Sequence, residues 1–156
     1  MTYIVEHIRN AFRETFEEVV PGTEFHERRL LPTDGQYAIG LRVANWQHLP
    51  TSAQIGQVEP GLGVFTVQVQ NMVKGMDEVQ ALKIYDVQCS LVRAVLYRNA
   101  QLRLRLFGVD EEISGSAERP KRMGVRKQDF LDNRVGQQFT YLCVTEVYIE
   151  TEITLL

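Results

Sequence analysis

The stretch "FTYLCVTEVYIETEITLL", residues 139–156, governs how the rest of the chain is read. It alternates like a strand over its whole length. The odd positions, from Phe139, Tyr141 and Cys143 through Val147, Ile149, Ile153 and Leu155, stay largely apolar. The even positions include Leu142 and Val144, then turn acidic at Glu146, Glu150 and Glu152. The first half thus reads as a central strand buried on both faces, the second as an apolar stripe opposite an acidic one. Fully extended, the segment would span about 59 Å at ~3.3 Å per residue. A compact chain of 156 residues is only about 40 Å across. The strand must bend, or end against a neighbour. A bare apolar stripe on an open edge invites aggregation. We expect a sister subunit's sheet to cover it, a loop of the same chain being the alternative.

Composition bounds the class. The chain is 44% hydrophobic and 24% charged, ordinary for a globular protein, and its length suits one domain over residues 1–156. The opening "MTYIVEHIRNAFRETFEE" mixes acids and bases, unlike a signal or transit peptide, and no apolar run reaches the ~18 residues of a membrane helix. These features predict a cytoplasmic protein with no membrane partner. Cys89 and Cys143 lack CxxC partners, so they read as plain buried thiols.

The net charge of −3 conceals blocks of opposite sign. Residues 1–90 hold 7 basic and 11 acidic side chains, residues 91–127 hold 9 and 4, and the rest hold 1 and 5. Such alternation suits head-to-tail contact between copies, or a basic loop folded onto an acidic strand of the same chain. It suits nucleic acid less well.

Working back from the final strand, Ile4, Ile8, Phe12 and Phe16 repeat every four residues and predict an amphipathic helix over 3–19. Phe25–Leu31 predicts a short strand, and "QYAIGLRVANW" a strand with Ile39, Leu41 and Val43 on one face. Residues 47–62, rich in Gly, Pro, Ser and Gln, read as a long loop. "GVFTVQVQNMV" is a strand with Phe65, Val67 and Val69 inward until Asn71 breaks the pattern. A second helix follows, with Leu82, Tyr85, Cys89, Val92 and Leu96 as its stripe and Asn99 as a left-handed cap. "QLRLRLFGV" alternates Leu with Arg and reads as a strand. Residues 109–124 read as a charged connector, and "LDNRVG" as the turn between the last two strands. The expected fold class is α+β, a mixed or antiparallel sheet with two main helices packed on one face.

Chemistry is sparse. His7, His26 and His48 fall in three different elements with no zinc spacing. "GLG" at Gly61–Gly63 precedes a strand and lacks the third glycine of a dinucleotide loop. Asp110, Glu111 and Glu112 sit in a hydrophilic connector, without the apolar pocket that tunes a catalytic carboxylate. No catalytic, cofactor-binding or metal residue is assigned, and no enzyme is expected. The basic run "ERPKRMGVRK" is the best nucleic-acid candidate, but no aromatic platform accompanies it.

With the elements placed, "QVEPGLGVFTVQVQNMVKGMDE", "LVRAVLYRN" and "ERPKRMGVRKQDFLDNRVGQQFTYLCVTEVYIETEI" together resemble the tail terminator proteins of long-tailed bacteriophages, of the type found in actinobacterial siphophages. The resemblance implies a subunit of a ring, usually of six. That ring caps the tail tube, stops polymerisation of the major tail tube protein and offers a surface to the head-tail connector or stopper protein. DNA would cross its lumen without sequence-specific contacts. It implies a virion tail or neck location after synthesis in the host cytoplasm, and no cofactor. On this reading Glu59, Glu111, Glu112, Arg119, Lys121, Arg122, Ile149 and Ile153 serve subunit or tube contacts. Glu146, Glu150 and Glu152 face the lumen and repel DNA. Another neck or head-completion protein, or a small nucleic-acid-binding module, is the alternative.

Overall fold

The computed structural model describes residues 4–20, 22–50, 61–108 and 118–153. Its elements run α1 (Ile4–Val19), β1 (Glu24–His26), β2 (Tyr37–Pro50), β3 (Gly61–Gly75), α2 (Glu78–Arg98), α3 (Ala100–Phe107), β4 (Glu118–Val135) and β5 (Gln138–Ile153). The strands form one mixed sheet in the order β1-β2-β3-β5-β4, with β1 parallel to β2 and every other pair antiparallel. The α+β expectation holds, with a third helix added.

The length puzzle of β5 is resolved within the chain. Register runs from Phe139 against Gly75 to Ile153 against Gly61 on one side, and from Gln138 against Val135 to Ile153 against Glu118 on the other. The strand is long because its neighbours are equally long. Both of its edges are paired in cis, so no sister sheet is needed to cover it through residue 153. Among the described residues, the edges without a partner strand lie elsewhere, along β4 and along β2 beyond Gly40, where β1 stops.

The odd residues of β3 and β5 form the inner face. Phe65, Val67 and Val69 meet Val147 and Ile149 from β5, and α1, α2 and α3 close over them. Ile8, Phe12 and Phe16 from α1, Leu96 from α2, and Leu102 and Leu106 from α3 are almost wholly buried there. Burying each such side chain contributes about 1.5–3 kcal/mol. Asn71 does not break the β3 pattern: it stays on the inner face, fully buried, and donates to Gln88 Oε1 at 2.9 Å. On the opposite face the segment after β1 packs Leu30 onto Ala38 and Met72. Asp34 holds that segment by accepting from Arg28 at 2.7 and 2.9 Å and from the Leu31 amide at 2.6 Å.

Several expectations are corrected. Residues 100–107 are a helix rather than a strand. Leu102 and Leu106, four apart, are buried while Leu104 is 58% exposed. Period-2 Leu-Arg alternation places Leu at i and i+4 as well, and tertiary contacts decide between the two readings. His7 Nε2 donates to the Leu106 carbonyl at 3.0 Å, and Arg105 pairs with Glu14 and Glu18 of α1. Asn99 is not left-handed (φ −75°, ψ 114°) and caps the start of α3, its side chain accepting from the Leu102 amide at 2.9 Å. The buried stripe of α2 centres on Ala81, Tyr85, Gln88, Val92 and Val95, and Leu82 is 42% exposed. The presumed turn "LDNRVG" is strand as far as Val135, and Gly136, at φ +63°, opens a two-residue hairpin turn that an L side chain would strain. The strand expected at 25–31 is confined to Glu24–His26. The expected loop and connector shrink, since β2 reaches Pro50, β3 begins at Gly61 and β4 begins at Glu118.

Candidate assembly surface

Three of the residues expected at an interface, Arg119, Lys121 and Arg122, meet those expected to line a lumen on the outer face of the β4–β5 pair. Arg122 grips Glu150 with two bonds, Nε to Oε2 at 2.8 Å and Nη2 to Oε1 at 2.7 Å. Lys121 Nζ lies 3.1 Å from Glu152 Oε2, and Arg126 Nη1 lies 3.4 Å from Glu146 Oε1. The hydrogen bond and charge of Glu150 raise the Arg122 pKa further.

Two β-bulges build this ladder. Register shifts between Pro120 and Arg122 and between Val125 and Lys127 make Lys121 and Arg126 the extra residues. In a regular strand, neighbouring side chains point to opposite faces. Each bulge instead lets both members of a basic doublet, Lys121-Arg122 and Arg126-Lys127, reach the acidic face. Lys127 completes the row with Asp129 at 3.4 Å. Arg126 also sits over the Tyr148 ring, 5.6 Å from its centroid.

Pairing changes the electrostatics of the two proposed sets. Glu146, Glu150, Glu152 and Asp129 are paired with Arg126, Arg122, Lys121 and Lys127, so the face is balanced rather than acidic. The same pairing removes most of the free basic patch that a nucleic-acid module would need. Arg119 is exposed opposite Glu152 in register. Ile149 is corrected outright: it is fully buried in the chain's own core and offers nothing to a partner. Ile153 pairs through its backbone with Gly61 and Glu118. Glu59, Glu111 and Glu112 lie outside the described residues.

Sequence reading missed the other half of β4. Beyond the second bulge the strand is regular, and Phe130 and Leu131 stand 60% and 54% exposed on its two faces. Register places Phe130 beside Cys143 on the inner face and Leu131 beside Leu142 on the outer. β4 is the last strand of the sheet, so this apolar pair lies on an open edge. The signal is present in "QDFLDN", two large apolar residues in a polar run, but that reading divides them between a strand ending at Phe130 and a turn starting at Leu131. At the opposite edge Trp46 of β2 is 44% exposed against Phe65, with ring centroids 6.4 Å apart.

Among the described residues no three His, Cys, Asp or Glu side chains converge to hold a metal ion. No helix among them is long and apolar enough to cross a membrane. No protein-family model and no curated protein matches the chain. Among solved structures it is similar to a chain of the "Virion of native gene transfer agent (GTA) particle", with a TM-score of 0.42 and 11% identity over 92% of this chain and 91% of that one. Likeness at that level does not assign a function.

Proposed function

We propose that this chain is a structural subunit of a bacteriophage-type virion. Copies of it form a ring, six-membered by the family resemblance, on the end of the tail tube. The ring ends polymerisation of the major tail tube protein and joins the tube to the head-tail connector. The observation that carries the self-assembly part is the pair of open edges on opposite sides of one sheet, β4 bearing Phe130 and Leu131 and β2 bearing Trp46. An edge with exposed apolar side chains demands a cover. Two different edges on one molecule pair heterologously, and heterologous pairing closes into rings when the rotation permits. The virion placement comes from the sequence resemblance, which runs through β3, α2, β4 and β5.

Within such a ring the balanced β4–β5 face suits a lumen wall. DNA would meet fixed, mutually satisfied charges and find few free cations to hold it. Native mass and negative-stain images of the purified protein, with binding to isolated tails, test the reading. Closed rings, or capping of tube ends by an otherwise monomeric protein, support it. A monomer that ignores tail tubes overturns it.

A further inference from the structure

Beneath α2, one strand in from the β4 edge, three elements bring two thiols together. Asn71 of β3 and Cys143 of β5 are cross-strand partners. Cys89 of α2 packs onto the cluster that holds Cys143, and its Sγ lies 3.3 Å from Asn71 Nδ2. The Cys143 sulfur lies 3.8 Å from Thr145 Oγ1, in the cluster against which Cys89 packs. The Tyr85 hydroxyl is buried without a hydrogen-bond partner among the described residues. Neither cysteine is in a disulfide; Cys143 is buried and Cys89 half-buried.

The two sulfurs are chemically unequal. The neighbouring Cys143 thiol first, and then the Asn71 amide, lower the Cys89 pKa to about 6. The same Cys89 contact, with burial, pushes Cys143 up. A half-buried thiol of lowered pKa packed on the same cluster as a buried thiol of raised pKa is the arrangement of an attacking and a resolving cysteine.

We propose that Cys89 and Cys143 form a redox-modification site that takes a small-molecule disulfide and converts it into an intrachain bond between α2 and β5. The Cys89 thiolate attacks one sulfur of the reagent, forming a mixed disulfide and expelling one thiolate. Cys143 gives its proton to that thiolate and attacks the Cys89 sulfur, expelling the second. The protein thiols lose two electrons, and one disulfide becomes two thiols. A chain made in a reducing compartment and later exposed to an oxidising one passes from the first state to the second. This inference is independent of the assembly reading.

The test is incubation of the folded protein with glutathione disulfide at neutral pH. Intact mass should fall by two hydrogens, with peptide mapping joining Cys89 to Cys143. Cys143→Ser should stop at one glutathione adduct on Cys89, and Cys89→Ser should give neither product. The wild-type rate should rise with a midpoint near pH 6, against ~8.5 for an ordinary thiol. At pH 7 the larger thiolate fraction, offset by weaker intrinsic nucleophilicity, leaves a rate roughly threefold above an ordinary thiol of equal access. Separate adducts on both cysteines, a wild-type adduct that never resolves, or reaction only in denaturant would each overturn the proposal. If Cys143→Ser does not fold, the wild-type mass, map and pH profile decide alone.

Discussion

Tyr148 lies across Gly124, its cross-strand partner, and a Cβ built on that glycine would lie 2.3–2.6 Å from the tyrosine hydroxyl, Cζ and Cε1. The ring fills the space a side chain would take, as aromatic residues do over glycines in sheets, and Arg126 rests on it. Gly124→Ala should therefore push the ring out and cost about 1–2 kcal/mol, despite the entropy an alanine saves in the unfolded chain. Combined with Tyr148→Ala, the same substitution should cost almost nothing further. A double-mutant cycle by chemical denaturation reads this coupling, and additive costs would show that the ring does not depend on the glycine.

Leu102 and Leu104 separate the helical from the extended reading of α3. In the helix Leu102 is buried and Leu104 exposed; in a strand both would share a face. Leu102→Ala should cost about 2–5 kcal/mol, whereas Leu104→Ala should stay within about 0.5 kcal/mol of wild type. Equal costs would restore the strand.

That pair also marks where the sequence stops being readable. α1, β3 and β5 follow from a single unbroken period, so Ile8, Phe12, Val67 and Val147 identify themselves as core. Residues 100–107 fit both periods at once, and only Asn99 and the Glu14–Arg105–Glu18 contact select the helix. The basic doublets of β4 defeat strand reading differently. Alternation divides each doublet between two faces, and only the bulges reunite them opposite the glutamates. The charge blocks were legible, but their meeting within one chain needed the hairpin register. Leu131 was hidden because Asp132-Asn133 looked like a turn, although β4 continues past Phe130 to Val135.

The acid limb of stability should depend on Asp34. Its hydrogen bonds from Arg28 and then from the Leu31 amide hold its carboxyl well below the usual carboxylate range. The unfolded chain binds a proton there near pH 4 while the folded chain does not. Stability contributed by the carboxylate is therefore complete above pH 4 and is lost as pH falls below it. Asp34→Asn should be less stable at neutral pH and show a flatter decline between pH 4 and 2. Parallel wild-type and mutant denaturation midpoints across that window would disprove the assignment.

The alkaline limb should depend on Tyr85. Burial beneath α2 is the main cause that pushes its pKa far up from 10.0. Above pH 10 the unfolded chain loses this proton and the folded chain keeps it, so stability falls as pH rises. Tyr85→Phe should flatten the decline above pH 10 and leave the profile below pH 9 unchanged in slope. An identical alkaline decline in the mutant would place the cause elsewhere.

Phe130 and Leu131 carry the assembly reading, and each tests it cleanly because neither belongs to the core. Exposed side chains on an edge strand contribute little to the fold, so Phe130→Lys and Leu131→Lys should change unfolding free energy by no more than about 0.5 kcal/mol. A lysine on an edge opposes pairing with a further strand. Either substitution should raise the protein concentration at which rings form, or the concentration that caps tail tubes, by tenfold or more, equivalent to about 1.4 kcal/mol per contact. Trp46→Lys on the β2 edge should do the same if β2 of one copy receives β4 of the next. Analytical ultracentrifugation of an equimolar mixture then distinguishes the geometry. A β4 mutant retains its β2 edge and a β2 mutant its β4 edge, so together they should form one heterodimeric junction and stop there. Rings from the mixture, or from either mutant alone at wild-type concentrations, would mean that these edges are not the contact.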